Sequence, residues 1–147
     1  ASTTEPGRMF MLITHEIAMA ALNAGIKRAK ELEQRSCLSI VDAGGHLVGF
    51  VRVDDAAFGT IEVANNKAYT AAALRKSTDT WMSLSQPGQE LYGLERSCAR
   101  PFVVFGGGLP VTIDGVVIGG VGVSGGPEEA DVEIAKAMVA VLEAYQN

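Results

Sequence analysis

Asp42, Arg52, Asp54 and Lys67 are the side chains best suited to chemistry, because the first three close short apolar runs and Lys67 lies beside Asn66 in an alanine-rich stretch. Arginine offers a planar, two-pronged donor for a carboxylate, and an ammonium group offers a point charge. On one reading Arg52 or Lys67 orients a small hydroxy or oxo acid while Asp42 or Asp54 moves a proton. On another, Arg52 and Lys67 only neutralise Asp42 and Asp54 in an internal ion network. Glu62, Asn66 and Thr70 recur at i, i+4 and i+8, a polar line that is either a pocket wall or a solvated face.

The chain also carries a glycine-dense stretch: nine of its 17 glycines fall between Gly106 and Gly126. Backbone without side chains lets a ligand or another element come close, so Gly107, Gly108 and Ser124 join Arg52, Asn66, Lys67 and Thr70 as binding candidates. Gly120, Gly122 and Gly125 spell GxGxxG, but no strand follows to carry the acid of a dinucleotide site, so no nucleotide cofactor is expected. Ser124 sits in GxSxG, yet both histidines, His15 and His46, precede it, against the order a hydrolase triad requires. The structural alternative is that these glycines allow sheet bends and close approach of the last helix.

The elements that position these groups follow from periodicity. Thr14 caps a predicted helix reaching about Arg35. Ser36–Val41 and Leu47–Val53 form a hairpin across Asp42-Ala43-Gly44-Gly45-His46. A second helix spans Thr60–Lys76, with Ile61, Ala64, Ala68, Ala71 and Arg75 on one stripe. Ser77–Arg100 reads as a long excursion with one or two helical turns. Phe102–Phe105, Leu109–Ile113 and Val116–Val123 read as strands, the last two joined at Asp114-Gly115. Pro127 and two glutamates open a final helix whose buried side carries Ala130, Ile134, Met138, Val141 and Tyr145.

With 147 residues, 48% of them apolar, and a net charge of -5, the chain suits one α/β (α+β) domain with a mainly antiparallel sheet. The acidic balance disfavours nucleic acid, and no apolar run is long enough for a membrane span. Cys37 and Cys98 do not amount to a disulfide framework, and the histidines and acids show no zinc or di-iron spacing, so no metal site is expected. A cytoplasmic location is expected; export stays open because the chain does not begin with methionine.

Val41-Asp42-Ala43-Gly44-Gly45, Arg52-Val53-Asp54-Asp55-Ala56, Asn66-Lys67-Ala68, Phe105-Gly-Gly-Gly-Leu-Pro-Val111 and Ile118–Gly126 occur in the order found in one family. From Leu12 onward the chain resembles the haem-binding or haem-degrading GlcG-type family. Gln86–Leu94 is similar to the branch that holds the C-terminal accessory domain of propanediol-utilisation cobalamin adenosyltransferases and stand-alone relatives from diol operons. The resemblance implies a profilin-like fold with a five-stranded antiparallel sheet flanked by helices, in a single domain over residues 12–147 after a flexible segment 1–11. It also implies self-association into dimers and larger oligomers, and binding of haem or a related tetrapyrrole, with Arg52 or Lys67 available to a propionate. His46 and His15 are the axial-ligand candidates among several eligible donors, and Trp81, Tyr92 and Phe102 could line a flat ring or close a core. The rival readings are the hydroxy- or oxo-acid enzyme and a non-catalytic assembly or sensory module.

Overall fold

The structure, a computed structural model, describes residues 12–144. The segment expected to be flexible, 1–11, and Tyr145 lie outside the described residues. Helix α1 (His15–Glu31) starts as expected, with the Ile17 N–H donating to Thr14 Oγ1 at 3.2 Å and Glu16 in the first turn. It ends one turn before Arg35. Glu33 adopts a left-handed φ of 56°, while the Gln34 N–H reaches Ala29 O and the Glu33 N–H reaches Lys30 O. This is the Schellman closure, built with glutamate where glycine is usual.

Strands β1 (Cys37–Asp42) and β2 (Leu47–Arg52) form the first hairpin, and β3 (Gly108–Ile113) and β4 (Val116–Ser124) the second. Asp114 and Gly115 turn the second hairpin with φ of 51° and 79°, the two positive values a type I′ turn demands. Among the described residues the sheet has four strands in the order β2-β1-β4-β3, all pairs antiparallel. The expected fifth strand, Phe102–Phe105, is absent because its backbone bonds elsewhere. The Phe102 N–H donates to Glu95 O, the Val103 N–H to Thr70 Oγ1, and Phe105 O accepts from Thr78 Oγ1. These three groups are committed outside the sheet. The excursion before it holds three short 3₁₀ turns, Thr78–Trp81, Ser83–Ser85 and Leu94–Arg96.

Alternation along the strands divides the side chains between two layers. Leu38, Ile40, Val121 and Val123 meet α1 and α3 (Glu128–Ala144) on one face, where Ile134, Met138 and Leu142 complete the main core. The other face receives α2 (Gly59–Leu74), which lies over β1, β4 and β3. A Cβ on Gly122 would sit 2.1 Å from Ala64 O, and one on Gly120 would sit 2.4 Å from Ala68 O. The bare strand therefore admits the second helix, not the last, and the buried Ala64, Ala68 and Ala72 meet it. No helix among the described residues is long and apolar enough to cross a membrane.

Candidate functional site

Antiparallel pairing sorts the candidate charges. Asp42 sits at the tip of the first hairpin, whereas Arg52 pairs with Cys37 at the opposite end, five residue steps along the strand and so about 17 Å away. The Arg52 side chain is exposed and makes no hydrogen bond or ion pair among the described residues. Asp54 borders an open cleft of 590 Å³ with Lys30, Arg35 and Asp55, of which Arg35 and Asp55 form an exposed ion pair at 2.7 Å. The four charges thus form neither the shared recess nor the internal network that their positions suggest in sequence.

Lys67 has a partner that spacing does not reveal. Its side chain leaves α2, passes Gly107 and donates to Val123 O at 2.8 Å and to Asp131 Oδ2 at 3.2 Å, on the first turn of α3. Gly107 has to lack a side chain, since a Cβ there would lie 2.6 Å from Lys67 Nζ, and its φ of 123° suits glycine alone. Phe105 covers the ammonium with its ring centroid 5.1 Å away, leaving Lys67 1% exposed. Burial pulls the Lys67 pKa below the lysine range against the Asp131 charge, and burial pushes the Asp131 carboxyl upward against Lys67 and the Gly126 N–H. Gly107 lies against the Lys67 ammonium, and Gly108 against the Lys67 backbone carbonyl and Thr78. Ser124, 6% exposed, lies next to the carbonyl that Lys67 bonds.

Asn66 and Thr70, the buried part of the polar line on α2, receive the 100–103 segment. Thr70 Oγ1 donates to Asn66 O and accepts the Val103 N–H, and Asn66 Oδ1 accepts from Arg100 Nε at 3.1 Å. The Arg100 guanidinium lies 4.0 Å from the Tyr69 ring centroid, and Tyr69 stacks with Phe102 at 6.2 Å. Beyond them β2 extends past the cover of α2. Leu47 is exposed there, and Phe50 packs against the small cluster of Cys37, Ala56 and Ala64. Arg100 carries no sequence signal beyond its place before Pro101, and Asp131 none beyond the acidic first turn of its helix.

His46 adjoins this uncovered surface, because Gly45 rests against Tyr69 so closely that a Cβ would come within 2.8 Å of its ring. Asp42 Oδ1 accepts the Gly44 and His46 N–H groups at 2.9 Å each and lies 3.1 Å from His46 Nδ1. The imidazole is fixed at Nδ1, is 81% exposed, and has no partner for Nε2 among the described residues. His15, by contrast, is exposed in the first turn of α1 with no bonded partner among the described residues. Slight burial works to raise the Asp42 pKa, but the N–H groups and the imidazole prevail and hold it below the usual carboxylate value. The folded pKa is depressed, so this contribution is present above about pH 4 and lost as pH falls further. Asp42→Ala is expected to cost about 1 kcal/mol in urea unfolding at pH 7 and much less at pH 3. An equal loss at both values would remove this role.

Tyr92 is exposed and Trp81 half-buried, its Nε1 enclosed without a partner among the described residues. No group of three His, Cys, Asp or Glu able to hold a metal ion occurs among the described residues.

A model of the family described as "Haem degrading protein HbpS-like" matches residues 13–140. A 15.0 kDa protein from the dhaT-dhaS intergenic region of Citrobacter freundii is 42% identical over 125 residues, covering 80% of this chain and 88% of its own. The corrinoid adenosyltransferase PduO of the same organism is 37% identical over 97% of this chain, which spans only 42% of PduO. Among solved structures, a PduOC:heme complex superimposes with a TM-score of 0.84 at 37% identity, over 88% of this chain and 94% of that one.

Proposed function

Since the chain belongs to the HbpS-like family of haem-degrading proteins, we propose that it binds haem or a related tetrapyrrole at the surface shared by the first hairpin tip, Tyr69 and Phe102. Likeness to a relative seen with haem supports the ligand class. The His46–Asp42 contact carries the site. An imidazole whose Nδ1 is bound to a carboxylate presents Nε2 as a basic, oriented donor, the usual preparation for ligating iron. His15 lacks such a partner among the described residues. Tyr69 and Phe102 add a flat apolar surface beside it. Bound haem would supply a redox-active iron; the protein's own part is to orient the donor and seat the ring.

The sealed Lys67 amine, and the separation of Asp42 from Arg52, speak against turnover of a small hydroxy or oxo acid. The proposal includes a cytoplasmic, self-associating single domain. The exposed edge strand β2, with Leu47 on it, supports the self-association, and a strictly monomeric mass by sedimentation would remove that part.

Titrating hemin into the protein while following the Soret band tests the reading. Saturable binding is expected, with His46→Ala weakening it about tenfold or more and shifting the band, and His15→Ala leaving it unchanged. A weak, non-saturating change in the parent protein would overturn haem binding. Parent-like spectra for His46→Ala would move the ligand elsewhere.

A further inference from the structure

We infer that Arg100 is the carboxylate anchor of this surface, selecting a planar apolar ring that bears an ionised acid group. The inference rests on the haem reading and adds to it the part of the ligand that is recognised. Arg100 is held before any ligand arrives. Its Nε donates to Asn66 Oδ1 at 3.1 Å, its Nη2 to Asn65 O at 3.4 Å, and its Cζ lies over the Tyr69 ring, 4.0 Å from the centroid. Asn66 is only 9% exposed, and Asn65 is fixed in turn by Ser39 Oγ at 2.7 Å. Every one of these partners is neutral. In a chain of net charge -5, Arg28 and Arg35 pair with carboxylates, whereas Arg100 meets none among the described residues. Both hydrogens on Nη1 also lack an acceptor among them. A half-buried guanidinium with its position fixed and its charge unmatched is set to accept an anion at little further ordering cost.

The Tyr69–Phe102 pair beside it makes the complementary ligand an aromatic acid, not a bare phosphate. A tetrapyrrole carrying propionates has both features.

Hemin and its dimethyl ester share the ring and the iron and differ in the acid groups, so their affinities for the same protein isolate the anchor. The parent protein is expected to bind hemin about tenfold more tightly than the ester. Arg100→Ala should abolish that preference, and Arg100→Lys should restore part of it, with thermal melting confirming that each variant is folded. His46→Ala should weaken both ligands yet keep the preference. Equal parent affinities for acid and ester, or an undiminished preference in folded Arg100→Ala, would overturn the anchor while leaving haem binding intact. No saturable binding of either ligand would overturn the haem reading and this inference together. If Arg100→Ala fails to fold, the parent comparison and Arg100→Lys decide.

Discussion

Gly122→Ala is expected to destabilise the protein by about 3 kcal/mol or more, enough to unfold a large share of a marginally stable domain. The added Cβ would lie 2.1 Å from Ala64 O, 2.5 Å from Ala68 N and 2.9 Å from Lys67 Cβ. Two of those atoms are the acceptor and donor of one i to i+4 step of α2, so no side-chain rotation relieves the clash. The helix must lift from β4, and lifting it opens the contacts of Ala64 and Ala68, both 0% exposed. Gly59→Ala is the matching control. A Cβ there meets nothing within 4 Å, and the site is the first residue of α2, where alanine is neutral or stabilising by up to about 1 kcal/mol. Urea unfolding of the two variants measures the contrast; equal midpoints would disprove the close seating of α2.

Lys67→Met should cost about 3–5 kcal/mol at pH 7, because it leaves Asp131 buried with no cation beside it. Lys67→Met combined with Asp131→Leu should recover much of the loss, since neither charge is then enclosed. Acidity separates this from a packing defect. Burial already raises the Asp131 carboxyl, and without Lys67 it rises further, so the folded variant favours the protonated acid. A raised folded pKa adds stability below the unfolded value near 3.9 and loses it as pH climbs through the folded pKa. The deficit relative to the parent should therefore shrink as pH falls from 7 to 4. A deficit that stays constant across that range, or a fully stable single variant, would contradict the account.

Local chemistry made most of the scaffold legible. Thr14, the Asp42–Gly45 turn, Asp114-Gly115 and Pro127 mark boundaries because caps and turns depend on a few adjacent residues. Where non-local bonds decide, reading by pattern fails. Phe102–Phe105 has the composition of a strand, but the Phe102 and Val103 N–H groups and the Phe105 C=O bond to Glu95, Thr70 and Thr78 instead of a neighbouring strand. Glu33 ends α1 in a conformation that signals itself only when glycine occupies it. The alanine stripe and the glycine run were each visible, yet nothing in either says that they face one another. For the site, residue type drew attention to Lys67 but not to Asp131, 64 positions away. Arg100 gives no such signal, because its importance comes from having only neutral neighbours.

The rigid and the adjustable parts of the molecule are made from different segments. Exchanging side chains at the hairpin tip, or on the 100–103 stretch that rests on α2, leaves the seating of α2 on Gly120 and Gly122 untouched. Guest preference in such a chain is therefore free to diverge between descendants while the framework beneath it is inherited almost without change.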